Sequence, residues 1–202
     1  MFVNEPLVNL PSRDGNMIDK TGSIRIVELS RTEAYLRVLP RSRYSTREYY
    51  DLSVQHEPGC WRISLIRKTF EKEIEKEYKG RLFEDHAEEP RVFAALINDK
   101  EVGWIELGYS KWNNRMRVWE FLVEKGFRRR GIGTLLMKKA VRIAKDRGAR
   151  MLVLETQTNL VPAIDFYEAF GFEFIGFDTA AYSNEDVDKK EVRLELGMKL
   201  QS

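Results

Sequence analysis

The spacing of apolar positions changes repeatedly along the chain, and each change predicts a different element. Residues 1–22 mix Pro, Asn, Gly and Asp with no period, which predicts an extended arm. Alternation at Ile24, Ile26 and Leu29 predicts a first strand, and residues 32–39 read as a short helix that stops before Pro40. Residues 45–78 are highly charged. Within them Ile63, Ile66, Phe70, Ile74 and Tyr78 recur at helical spacing, which predicts a helix whose charges form a solvated face. Strand-like runs at 92–97 and 102–107 flank the turn Asn98-Asp99-Lys100-Glu101. A second turn at Trp112-Asn113-Asn114 leads into an apolar strand at 118–123, completing an antiparallel meander. The period then becomes helical from Gly131 to Arg147, with Ile132, Leu135, Leu136, Ala140, Val141 and Ala144 on one side and Gly148 as the stop. Residues 151–154 suit a buried strand paired in parallel after a crossover helix. A helix at 161–170 ended by Gly171 and strands at 172–177 and 192–200 complete an α+β domain over 23–202. Its central sheet is mixed, mostly antiparallel and flanked by helices.

Composition narrows the function. At 202 residues, 43% of them hydrophobic, the chain suits one well-buried core. Lys plus Arg (34) nearly balance Asp plus Glu (32), so the net charge of +2 argues for neither nucleic acid nor an anionic membrane as partner. No apolar run approaches the ~20 residues of a membrane span, and the N-terminus lacks a signal-peptide pattern, which predicts a cytoplasmic protein. Cys60 is the only cysteine, and His56 and His86 are the only histidines, so no metal site is expected.

The candidate chemistry begins where the strand at 118–123 runs into Arg128-Arg129-Arg130-Gly131-Ile132-Gly133-Thr134 and opens a helix. A helix start presents N–H groups with no internal partner, and its dipole adds positive charge, so this junction suits an anion such as a phosphate. Gly131 and Gly133 let the backbone approach a ligand, and the arginines add donors. Exposed charge around a tight turn is the alternative. A P-loop needs Lys and Ser or Thr after its glycines, and a dinucleotide fingerprint needs a glycine where Leu136 stands.

On these residues the chain resembles the GNAT superfamily of N-acetyltransferases. Arg128, Gly131 and Gly133 match the loop before that family's central helix. Asn159, Ala163, Phe166, Tyr167, Gly171 and Phe172 match its second signature. Trp112-Asn113, residues 154–159 and Val161-Pro162-Ala163 are similar to the streptothricin acetyltransferases, which acetylate the β-lysine amine of a cationic antibiotic. Glu106, Asp178 and Tyr182 match residue types there, while Trp119 holds a position where that subgroup carries a carboxylate and Glu120 follows one place later.

The resemblance implies acetyl-CoA as cosubstrate and a V-shaped splay between the fourth and fifth strands, with the pantetheine arm added to the strand edge at Leu122 and Val123. It implies cofactor contacts from Arg128, Arg129, Arg130, Gly131, Ile132, Gly133, Thr134, Asn159 and Tyr167, although a helix-capping role suits Asn159 equally. Tyr167 becomes the general acid for the departing thiolate, since a phenol is protonated at neutral pH. Without the motif, Tyr167 reads as core packing beside Phe166 and Phe170. Glu106, Glu120 and Asp178 are candidates for the base that deprotonates the amine, or for substrate anchors. Trp112, Trp119 and Tyr182 join Glu106 and Asp178 on the acceptor side. The implied acceptor is a small cationic amine. A peptide or ribosomal-protein amine and a non-catalytic acyl-CoA sensor stay open, and homodimers are common in the resembling family.

Overall fold

The computed structural model describes residues 17–19, 22–31 and 38–200. Its elements in order are β1 (Met17–Asp19), β2 (Gly22–Leu29), β3 (Ser42–Glu57), β4 (Cys60–Tyr78), β5 (Arg91–Ile97), β6 (Lys100–Ser110) and β7 (Arg115–Val123). There follow α1 (Ile132–Asp146), β8 (Met151–Gln157), α2 (Val161–Phe170), β9 (Glu173–Asp178), α3 (Asp186–Lys189) and β10 (Arg193–Lys199). The described strands form one sheet in the order β1-β2-β5-β6-β7-β8-β10-β9, antiparallel except for β7 with β8, and a separate ladder of β3 with β4. The arm at 1–22 lies outside the described residues except for β1 and Gly22, and β1 pairs with β2. The helix expected at 32–39 also lies outside them except for Val38, which bridges to Arg81, and Leu39, whose N–H donates to the Gly80 carbonyl at 2.9 Å.

The meander forms as its pattern requires. Asn98 and Asp99 take φ of 49° and 60°, the left-handed pair that closes a tight hairpin between twisted strands. One sheet face packs on α1, where Ile132, Leu136, Met137, Ala140, Ile143 and Ala144 bury against Phe93, Ile105, Leu107, Val118 and Leu154. Leu135 and Val141, expected on that stripe, are only partly buried, and Met137 and Ile143 take the deeper places. The opposite face is covered by Leu39, Leu82 and Phe83 over Val92, Ala94, Trp104 and Leu122. Gly148 and Gly171, at φ of 73° and 108°, end α1 and α2 in the left-handed geometry that glycine adopts without strain.

Residues 45–78 are not helical. They fall within a long antiparallel hairpin, β3 with β4, closed by Pro58-Gly59 with Gly59 at φ 78°. Ile66, Phe70, Ile74 and Tyr78 recur every four residues, and four is a multiple of the strand period as well as close to the helical one. The alternation of Tyr44, Thr46, Tyr50, Leu52 and Val54 on β3, a strand rich in β-formers, supplies the partner that resolves the ambiguity.

The strand splay is built into β7. Its parallel pairing with β8 runs from Arg115↔Met151 to Val118↔Leu154 and goes no further, although β7 continues to Val123 and β8 to Gln157. At the same point the β6–β7 register shifts, so that Glu106 faces Glu120 while Leu107 faces Val118, and Trp119 is left as an extra residue. Such a bulge bends and twists its strand, which turns the end of β7 away from β8.

Candidate active site

Glu106 and Glu120 are direct cross-strand partners on β6 and β7. Ile105 and Leu107 point into the α1 core, so Glu106 points to the other face, with Trp104. Glu106 is 1% exposed and accepts the Phe83 N–H at 3.0 Å. Burial pushes its carboxyl up to about 7 against that hydrogen bond, and Glu84 adds to the rise. Glu120 is partly exposed and accepts the Tyr78 hydroxyl. Burial pushes it up to about 7 as well, and the neighbouring Glu106, Glu84 and Glu155 raise it further while the Tyr78 bond opposes. The register thus sets a buried carboxyl beside Glu120, which makes Glu120 harder to ionise than in water.

Tyr167 is held on the facing element. It lies in the second turn of α2, buried, with ring centroids 5.6 Å from Phe166, 5.9 Å from Phe172 and 6.2 Å from Phe121 on β7. Burial and the Glu120 carboxylate push its phenol well above the ordinary value, so it keeps its proton throughout the neutral range. Core packing and proximity to Glu120 coexist in this one side chain.

The turn before α1 leaves the start of the helix without a side-chain cap. Gly131 is the N-cap at φ 81°, and a Cβ on Gly131 would meet nothing within 4 Å. Arg129 is also left-handed, at φ 64°. Gly133 lies close to the aromatic cluster, where a Cβ would stand 3.3 Å from Phe121 Cζ. Ile132 is buried, so it offers the site only its backbone, and Thr134 follows in the first turn. Arg128 does not point out of the turn: it donates to the Val123 carbonyl at 3.0 Å and to Ser42 Oγ at 2.9 Å. The Arg130 guanidinium lies 5.3 Å over Phe127. Beyond Val118 the edge of β7 that faces β8 carries no ladder partner; apart from the Val123 carbonyl, taken by Arg128, this leaves the edge from Trp119 past Leu122 to the Val123 N–H open to strand addition. Asn159, 1% exposed at the end of β8, has a buried Oδ1 with no hydrogen-bond partner. It does not cap α2, whose N-cap is Leu160 with no side-chain bond.

The remaining candidates are dispersed. Trp119, the bulge residue, packs edge-on against His86 at 4.5 Å with the Arg117 guanidinium 5.1 Å over its ring. A Cβ on Gly108 would meet Trp119 Nε1 at 2.5 Å, so the indole rests directly on β6. Tyr182 donates to Glu155 on β8 at 3.2 Å. Asp178 is on the outermost strand and accepts the Ala180 N–H at 2.9 Å, away from the Glu106–Glu120 pair. Trp112 is 85% exposed in the turn at the opposite end of the β6–β7 hairpin from Val123. Tyr78 and Ser42, to which the sequence gives no site role, join the site through contacts across the chain, and Glu155, within the segment 154–159 of the sequence likeness, lies beside it.

The sequence profile of the acetyltransferase (GNAT) family matches residues 41–172, a span that contains both signature segments, the carboxyl pair and the hairpin. The streptothricin acetyltransferase of Streptomyces lavendulae is 39% identical over 104 residues, which cover 49% of this chain and 55% of that enzyme. Streptothricin acetyltransferase A of Bacillus subtilis (strain 168) is 30% identical over 131 residues, covering 63% of this chain and 74% of that one. The chain thus spans about half the length of the first relative and three quarters of the second. Among solved structures, a nourseothricin acetyltransferase superposes with a TM-score of 0.72 at 26% identity, covering 88% of this chain and 99% of that one. A Bacillus anthracis str. Ames protein assigned as a streptothricin acetyltransferase, solved with acetyl coenzyme A, shares the fold at a TM-score of 0.69 and 24% identity, with 90% of this chain and 100% of that one covered. With the splayed strands, the glycine turn and the buried tyrosine all within the matched span, the chain belongs to the GNAT family of acetyltransferases.

Proposed function

We propose that this protein transfers the acetyl group of acetyl-CoA directly to a primary amine of a small cationic acceptor of the streptothricin class. The observation that carries this reading is the placement of an ionisable carboxyl, Glu120, and a fully protonated phenol, Tyr167, on the two sides of the splay between β7 and β8. The cosubstrate fits the residues present. The uncapped N–H groups at Gly131, Ile132, Gly133 and Thr134 suit its pyrophosphate, the unpaired β7 edge suits the amide-bearing pantetheine arm, and the orphaned Asn159 Oδ1 offers an acceptor to the same arm.

The transfer requires one proton to leave the amine and one to reach the thiolate. Glu120 takes the first: with its carboxyl near 7 it is substantially ionised at neutral pH and still basic enough to accept a proton from an ammonium or through a water. Tyr167 supplies the second to the departing sulfur. The Val123 N–H serves as donor to the thioester oxygen, and such a fixed donor is worth roughly 3 kcal/mol. Glu106, sealed beneath Phe83, stays behind Glu120 and acts on it through charge. Glu84, Glu106 and Glu120 gather carboxyls at this point, with Glu155 beside them paired to Arg193 and Arg117, and such a carboxyl-rich site favours a cationic acceptor. The sequence likeness to two streptothricin acetyltransferases supports the same class.

Release of CoA thiol from acetyl-CoA, measured against streptothricin, spermidine, an aminoglycoside and a lysine peptide, tests the proposal. Streptothricin is expected to be turned over with the highest kcat/KM. Turnover of the peptide alone would move the acceptor to protein amines, and binding of acetyl-CoA with no turnover would favour a sensor.

A further inference from the structure

The two strand ends at the base of the β3–β4 hairpin reach both halves of the site. Ser42 and Tyr78 are direct cross-strand partners. The Ser42 hydroxyl accepts from Arg128 of the glycine turn, and the Tyr78 hydroxyl donates to Glu120 on β7. Two residues after Tyr78 the chain passes so close to Glu120 that a Cβ on Gly80 would stand 2.7 Å from its Oε2 and 2.9 Å from Tyr78 Cε1. A side chain at position 80 would displace the carboxylate from its place between the backbone and the phenol. The Gly80 carbonyl is itself fixed by the Leu39 N–H at 2.9 Å, which ties this cradle to the core beneath the sheet.

We infer that Tyr78, seated by Gly80, is a positioning residue that holds the Glu120 carboxylate in its reactive orientation. The inference rests on the reading of Glu120 as the base. The other groups facing Glu120 all oppose ionisation: Glu106 from β6, Glu84 from the segment before β5, and Glu155 from β8. Tyr167 on α2 keeps its proton and adds no charge. The Tyr78 hydroxyl is the donor that counters three carboxyls, and a hydrogen bond to the charged form of an acid favours that form.

Direct titration tests this without relying on turnover. In protein labelled with 13C at the glutamate side-chain carboxyl, the Glu120 resonance is assigned by its loss in Glu120→Gln and followed against pH. Tyr78→Phe keeps the ring and removes the hydroxyl. It should move the Glu120 midpoint upward by roughly one unit and carry the acidic limb of kcat/KM with it. Gly80→Ala keeps the hydroxyl but pries the carboxylate away from it, and should move the midpoint in the same direction, so the inference stays testable even where Tyr78→Phe does not fold. An unmoved midpoint in the folded variants would overturn the role of Tyr78. Full turnover by Glu120→Gln would instead remove the base assignment, whatever the midpoints do.

Discussion

Glu106 shows how one buried side chain links the site to stability. Its carboxyl is pushed to about 7 in the fold, above the ordinary 4.5, so the folded protein retains a proton that the unfolded chain releases between those values. Stability must therefore fall as pH rises through that window, by about 1.4 kcal/mol per unit and on the order of 3 kcal/mol in all. Glu106→Gln keeps an acceptor for the Phe83 N–H and removes the titration. Denaturant unfolding across pH 4 to 8 should give the variant a flatter dependence and the higher stability above pH 7, and equal slopes would show that Glu106 does not titrate there. At Tyr167 the expectation is kinetic. Tyr167→Phe preserves the ring contacts with Phe121, Phe166 and Phe172 and loses the proton, so kcat should fall by a factor of about 10² to 10⁴ with KM for acetyl-CoA little changed. A fall in thermal stability with unchanged kcat would make it a packing residue alone.

Among elements, the turn into α1 carries the clearest prediction. Gly131 sits at φ 81° with open space around it, so Gly131→Ala introduces no clash but forces a side chain into the left-handed region at a cost of about 1–2 kcal/mol. Relief of that strain would re-aim the first N–H groups of the helix, and KM for acetyl-CoA should rise, as steady-state kinetics would show. This turn was legible in the sequence because its chemistry is local: glycines, arginines and a change of period fall within seven residues. The meander, α1, α2 and the crossover strand were legible for the same reason. The β3–β4 hairpin was not, because a spacing of four satisfies both periods and the arbitrating strand lies on the other side of Pro58-Gly59. Nor could the sequence show that a bulge at Trp119 would bring Glu120 opposite Glu106, since register is a property of two strands. Tyr78 reads as one more apolar position, and its hydroxyl acquires meaning only when Glu120, far along the chain, arrives beside it. Asp178 and Trp112 carry suitable chemistry at positions the topology keeps away from the carboxyl pair.

Taken whole, the molecule is nearly neutral, yet Glu106, Glu120 and Glu155 of its sheet, with Glu84 from the segment before β5, lie around the point where two strands part. No helix among the described residues is long and apolar enough to cross a membrane, and no cluster of His, Cys, Asp and Glu among them could hold a metal. In the proposed transfer, proton movement falls to Glu120 and Tyr167, side chains that the fold brings near each other. The most direct test is the pH dependence of kcat/KM for acetylation of streptothricin by the wild-type protein and by Glu120→Gln. The expected result is an acidic limb near pH 7 in the wild type, matching the raised Glu120 carboxyl, and its disappearance with a rate loss of about 10² or more in the variant. A limb that persists unchanged in Glu120→Gln, at an undiminished rate, would contradict the assignment.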